Sequence, residues 1–180
     1  DAKAGDIKTT GKVSAGDVST GTLETTGNAK IGGDLTVNGK LNVGEIYMEH
    51  KKQESTGEEY DSATSITADG ISNNAKVTDR NGVTTESKFT HDKEGSTTYA
   101  YQGDAANWKK STSNVTADGV ENVAEDSKGN NNTFTQTSTD TKNILKDKDG
   151  NTSTTRQDSK GIYGYAKDKD GNKSYTKQEG

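Results

Sequence analysis

The chain has 180 residues, of which 24% are hydrophobic and 28% charged, with a net charge of −5 and a pI near 5.1. An average domain carries roughly 45–50% apolar residues, so one copy of this chain lacks the material for a large core of its own. The absence of cysteine excludes a disulfide framework and thiolate metal sites; no apolar run approaches the ~20 residues that span a bilayer, and the acidic balance offers no basic patch for nucleic acid.

Low hydrophobicity with high charge is the usual signature of disorder. Two features oppose that reading: proline is absent, and the apolar residues keep fixed positions relative to glycine. A chain short of core orders by stacking repeats or by sharing a core between subunits.

Residues 1–46 carry a short unit of glycine, any residue, then an aliphatic residue or alanine. Its copies begin at Gly5, Gly11, Gly16, Gly21, Gly27, Gly33, Gly39 and Gly44. Helical spacing of apolar residues is missing, whereas Leu35/Val37 and Leu41/Val43 alternate as in a strand. Each unit is therefore expected to be a short strand ending at a glycine corner with positive φ. The segment suits a single-chain solenoid or a triangular shaft wound from three chains; the five-residue steps favour the intertwined trimer.

Residues 47–62 form the one stretch with helical flavour, EIYMEHKKQESTGEEY counted from Glu45, and are expected to be a linker or short neck. From residue 63 to 180 a longer unit takes over. Ile66-Thr67-Ala68-Asp69-Gly70-Ile71 matches Val115-Thr116-Ala117-Asp118-Gly119-Val120, and Asp158 to Ile162 gives a third copy. Ala75, Ala124 and Ala166 each stand five residues after the unit's glycine. An Asp-x-x-Gly turn follows, with Gly129, Gly150 and Gly171 spaced by 21 residues. Such turns punctuate hairpins, and the Thr, Val, Ile and Tyr around them suit a pleated surface. The expectation is a run of strand–turn–strand repeats of about 21 residues, each too poor in apolar side chains to fold alone. The fold class is thus all-β: a repetitive, elongated fibre, intertwined as a homotrimeric β-shaft or β-prism.

Catalytic chemistry finds no foothold. His50 and His91 lack an orienting carboxylate and a nucleophile in sequence, and no G-x-S-x-G, P-loop or H-E-x-x-H pattern occurs. The Lys-Asp-Lys-Asp-Gly-Asn turns resemble half of a calcium loop, yet alignment on Gly150 puts Leu145 and Arg156 at ligand positions, and alignment on Gly171 puts Ala166 and Lys177 there. A turn is the simpler account, with calcium at a trimer interface left open. No catalytic, cofactor-binding or metal residue is nominated, and no cofactor. Trp108, the only tryptophan, is the single candidate ligand anchor, against the reading that it packs where the repeat resets. Asn114, Asn131, Asn151 and Asn172 match a glycosylation sequon, as an Asn/Thr-rich chain does by chance.

The stretch GNAKIGGDLTVNGKLNVG, residues 27–44, resembles the shaft repeats of trimeric autotransporter adhesin stalks, and after them those of bacteriophage tail fibres. The A-D-G-[IV] and D-x-x-G-N units resemble stalk modules of the same adhesins. The resemblance implies a parallel homotrimer on a Gram-negative outer surface, an internal stalk segment without the adhesin head motif or anchor barrel. It implies a structural role that presents or extends a receptor-binding region, with self as partner, a host-surface protein or glycan as a further one, and no catalysis, nucleic acid or membrane insertion. A phage tail-fibre shaft, a polymerising filament subunit and a monomeric β-solenoid stand as alternatives.

Overall fold

The computed structural model describes residue 22 and residues 24–180. The chain divides into two units, Asp1–Leu41 and Asn42–Gly180. In the first, the early glycine units lie outside the described residues. The later ones bend at residues 26–27, 32–33 and 38–39, at six-residue intervals, with no strand pairing among the described residues. Their apolar side chains are open to solvent in the single chain, Leu35 at 63%. The glycine corners differ from expectation in one respect: Gly27, Gly33 and Gly39 bend without positive φ, and a Cβ at any of them would meet open space. Steric need therefore does not fix glycine there within one chain.

The second unit is a single twelve-stranded antiparallel sheet in which every strand pairs with its neighbours in sequence. Its first half comprises β1 (Glu45–Gln53), β2 (Glu59–Thr67), β3 (Gly70–Thr78), β4 (Thr84–Asp92), β5 (Gly95–Gly103) and β6 (Trp108–Thr116). The second half comprises β7 (Gly119–Asp126), β8 (Asn131–Thr137), β9 (Asp140–Lys146), β10 (Thr152–Asp158), β11 (Gly161–Lys167) and β12 (Lys173–Glu179). The stretch expected to be a linker or neck is β1, a turn and the start of β2, in register from Glu45 opposite Thr67 to Gln53 opposite Glu59. In place of a linker or neck with helical flavour, the alternation of Ile46, Met48 and His50 with Tyr47, Glu49 and Lys51 is the strand signal that prevails. Strands shorten from nine residues in β1–β6 to seven in β8–β12, so the 21-residue period holds only for the C-terminal units.

Two kinds of turn alternate. At one end of the strands, two-residue turns lead into glycines at positive φ, at Gly70, Gly95, Gly119 and Gly161. A Cβ on Gly95 would run into the carbonyl oxygen of Val115 on the adjacent strand, so only glycine fits. At the other end sit the Asp-x-x-Gly turns, with Gly82, Gly129, Gly150 and Gly171 at φ of 78 to 91°. In the turn at Asp147 one carboxylate oxygen accepts the N–H groups of Asp149 and Asn151 at 2.9 Å each, and the other accepts from the Asn151 side chain at 2.6 Å. The side-chain Oδ1 of Asn151 in turn accepts the N–H of Lys169 in the next turn at 2.8 Å, as Asn130 Oδ1 does for Lys148 at 2.9 Å. From the Asp126 turn through the Asp168 turn, each thus fastens the following one, a nearest-neighbour linkage of the kind that lets repeats propagate.

No hydrophobic side chain among the described residues is buried, and Gly103 is the only residue in the buried class. The sheet is one layer, with both faces open in the single chain.

Candidate functional site: an uncharged sheet face

Because side chains alternate along a strand and the register is continuous, every residue can be assigned to a face. On one face three rows cross all twelve strands. The first holds Ile46, Ile66, Ile71, Val115, Val120 and Ile162 among polar uncharged residues and His91. In the second are Met48, Phe89 and Phe134, separated by Thr, Ser and Asn. The third alternates small side chains, Ala75, Ser87, Ala100, Ser111 and Ala124, before reaching Leu145. None of these rows contains Asp, Glu, Lys or Arg. The small-residue row forms the floor of a shallow hollow of about 850 Å³.

The opposite face is charged. One row reads Lys51, Asp61, Lys76, Glu86, Tyr101, Lys110 and Glu125 across β1–β7, a sign-alternating ladder. Lys110 and Glu125 meet at 3.2 Å. Six of the seven tyrosines lie on this face, where the ring packs and the hydroxyl stays wet. The charge of the sheet thus lies mostly on one side of the layer; on the other, three rows are free of it and a fourth, at one margin, carries Lys52, Lys109 and Asp126.

Trp108 opens β6 on the charged face, half-buried, its ring 6.5 Å from Tyr101 and with Lys110 Nζ 5.3 Å from its centroid. Its backbone exchanges hydrogen bonds with Ser127, whose N–H donates to the Trp108 carbonyl at 2.9 Å and whose Oγ accepts the Trp108 N–H at 3.2 Å. A Cβ on Gly103 would strike Trp108, so the tryptophan fills the place where the turn between β5 and β6 differs from its neighbours. The two histidines fall on the uncharged face, His91 with Nδ1 2.7 Å from Ser96 Oγ. Among the described residues no group of three His, Cys, Asp or Glu side chains is placed to hold a metal ion. The Asp147, Asp126 and Asp168 carboxyls are held below the usual carboxylate range, foremost by hydrogen bonds from Asn151, Asn130 and Asn172 in their own turns. Asp104 is lowered in the same direction, chiefly by the backbone N–H of Asn107.

The segregation of faces is the feature that motif inspection missed. Its signal lay in the sequence as period-two alternation of charged with uncharged residues, independent of whether the uncharged ones are apolar. No protein-family model, curated protein or solved structure matches the chain.

Proposed function

We propose that the chain is a structural stalk segment of an extracellular bacterial surface fibre, assembled from three copies whose uncharged faces meet along a shared axis. The observation that carries this reading is the uncharged face itself. Fixing a residue's backbone costs about 1–2 kcal/mol, and a sheet recovers that by packing a face against something. Among the described residues one copy buries no hydrophobic side chain, yet three adjacent rows of one face hold no ionic side chain across all twelve strands. Eleven inter-strand steps of about 4.8 Å and strands of seven to nine residues give that face roughly 1,400 Å², above the about 800 Å² per partner of a stable interface. A second copy supplies a matching surface without any new chemistry.

Stacked strands make such an assembly a spacer whose length is set by the number of units. The segment Asp140 to Lys160 is one such unit, β9 and β10 with their turns, and Gly161 can succeed it in register because Asp140 and Gly161 open equivalent strands. Inserting two further copies of residues 140–160 adds four strands, so small-angle X-ray scattering should show the longest dimension growing by roughly 19 Å at constant cross-section. A particle that swells in cross-section, or fails to lengthen, contradicts the spacer reading.

A further inference from the structure

The sign-alternating ladder of the charged face stops at β8. Beyond it, the row that held Lys51, Asp61 and Lys76 continues as Asn131, Lys146, Thr152, Lys167 and Lys173, without an acid. Four positions along the same strands, a second row carries Lys142, Arg156, Tyr163 and Lys177, again without an acid. Between them runs a third row, Ile144, Thr154, Tyr165 and Tyr175. Tyr165 and Tyr175 are in ring contact at 5.0 Å, Tyr175 is 71% exposed, and Lys177 Nζ lies 5.9 Å from the Tyr163 ring. Six exposed cations thus flank a strip of tyrosine on a chain whose net charge is −5.

Few of these cations are spent. Arg156 reaches Asp140 at 2.9 Å and Asp158 at 3.5 Å, and Lys177 reaches Glu179 at 2.5 Å; all three acids lie at the outer margin of the strip. Lys142, Lys146, Lys167 and Lys173 have no ion pair among the described residues. The nearby turn acids are engaged elsewhere: Asp147 and Asp168 on their own turns, Asp149 and Asp170 on Lys148 and Lys169. Like charges on neighbouring strands repel and destabilise a sheet, so an unneutralised row is a local cost that the balanced ladder of β1–β7 avoids.

We infer that the charged face of β9–β12 binds a linear sulfated polysaccharide laid across the strands. Rows two residues apart are about 6.8 Å apart, so the two cation rows stand roughly 13–14 Å apart with the tyrosines midway. That layout suits a polymer bearing anionic groups on both edges and a flat apolar ring surface between them, as a sulfated sugar chain does. A single-stranded nucleic acid presents phosphates on one edge and bases on the other, and would need one cation row beside the rings rather than two. The exposed ion pairs at the margin hold little energy and leave Arg156 and Lys177 available to a ligand. This inference rests on the proposed fibre only in needing the charged face to be the solvated one.

The test uses the full 180-residue chain and a heparin decasaccharide as probe, with native mass measured on the same sample. Binding should fall about 50-fold between about 50 and 200 mM salt for four engaged cations, by the counterion-release slope of a flexible polyanion. Reversing Lys146, Lys167 and Lys173 to Glu should abolish it. The same reversal at Lys51, Lys76 and Lys88 should leave it within about twofold. The milder Lys→Gln triple at 146, 167 and 173, with an unchanged circular dichroism spectrum, guards against loss of fold and should still weaken binding at least about tenfold. Equal loss in both triples, no binding at low salt, or tighter binding of an oligothymidylate of equal charge overturns the inference. A trimeric sample that ignores heparin sinks this inference alone; a monomer that binds it sinks the fibre reading alone.

Discussion

At the scale of single residues, the sheet depends on glycines and aspartates that do different work at its two ends. Gly119 at φ 144° sits where a Cβ would run into the Gln136 carbonyl of the adjacent strand, whereas Gly150 at φ 90° faces open space. Gly119→Val should cost at least about 1–3 kcal/mol, visible as a lowered melting temperature. Gly150→Asn should be nearly neutral, because Asn tolerates the left-handed region and nothing is struck. The turn aspartates give a pH dependence of definite sign. Their carboxyls titrate lower in the folded chain than in the unfolded one, so the stability they contribute is present above the ordinary carboxylate range and lost as pH falls through the folded values. Thermal melts should hold from neutral pH down to about pH 5 and then fall as the solution is acidified below 3.8, the ordinary value of an aspartate carboxyl. In Asp147→Asn and Asp168→Asn that acid-side fall should be shallower. These turns were legible from sequence, since Asp, Asn and Gly at fixed spacing name the turn. The hydrogen bond from Lys169 N–H to Asn151 was not, because it joins residues 18 apart whose meeting depends on strand register.

Elements extend the same logic. The strands of residues 63–180 were anticipated from turn punctuation, and the Ile71, Val120 and Ile162 equivalence placed those residues on one face as the repeat implied. β1 was missed because its charge density outweighed its alternation, and residues 31–43 alternate as a strand yet find no pairing partner among the described residues. Both outcomes follow from one cause: periodicity reports which side chains share a face, and pairing depends on what lies alongside. Faces therefore predict mutational effects better than hydrophobicity does. Val120 and Val123 lie three residues apart in β7, both half-buried, on opposite faces. Val120→Asp puts a lone charge into the proposed shared interface and should cost about 3–5 kcal/mol with loss of association. Val123→Asp, on the solvated face, should stay within about 1 kcal/mol and associate as before. Denaturant unfolding and sedimentation of the two variants side by side separate the faces.

On the scale of the whole molecule, a 180-residue chain with no buried hydrophobic side chain among its described residues achieves order through nearest-neighbour pairing within the copy and, on the account proposed, through a face shared between copies. On that account the uncharged rows set the assembly, the alternating ladder neutralises itself on the opposite face, and the basic tyrosine strip of β9–β12 is the part of that face built differently from the rest. The composition announced that the core was too small for one chain; it did not tell which side chains would make up the shared one, because that required eleven strand registers in succession. The central claim is that this sheet is incomplete as a single copy. The most direct test is native mass by light scattering on the purified chain at neutral pH. The account predicts a particle near three times 19.1 kDa whose mass holds on dilution until the sheet itself melts. A cooperatively melting particle of 19.1 kDa would contradict it, since the single layer would then stand without anything covering its uncharged face.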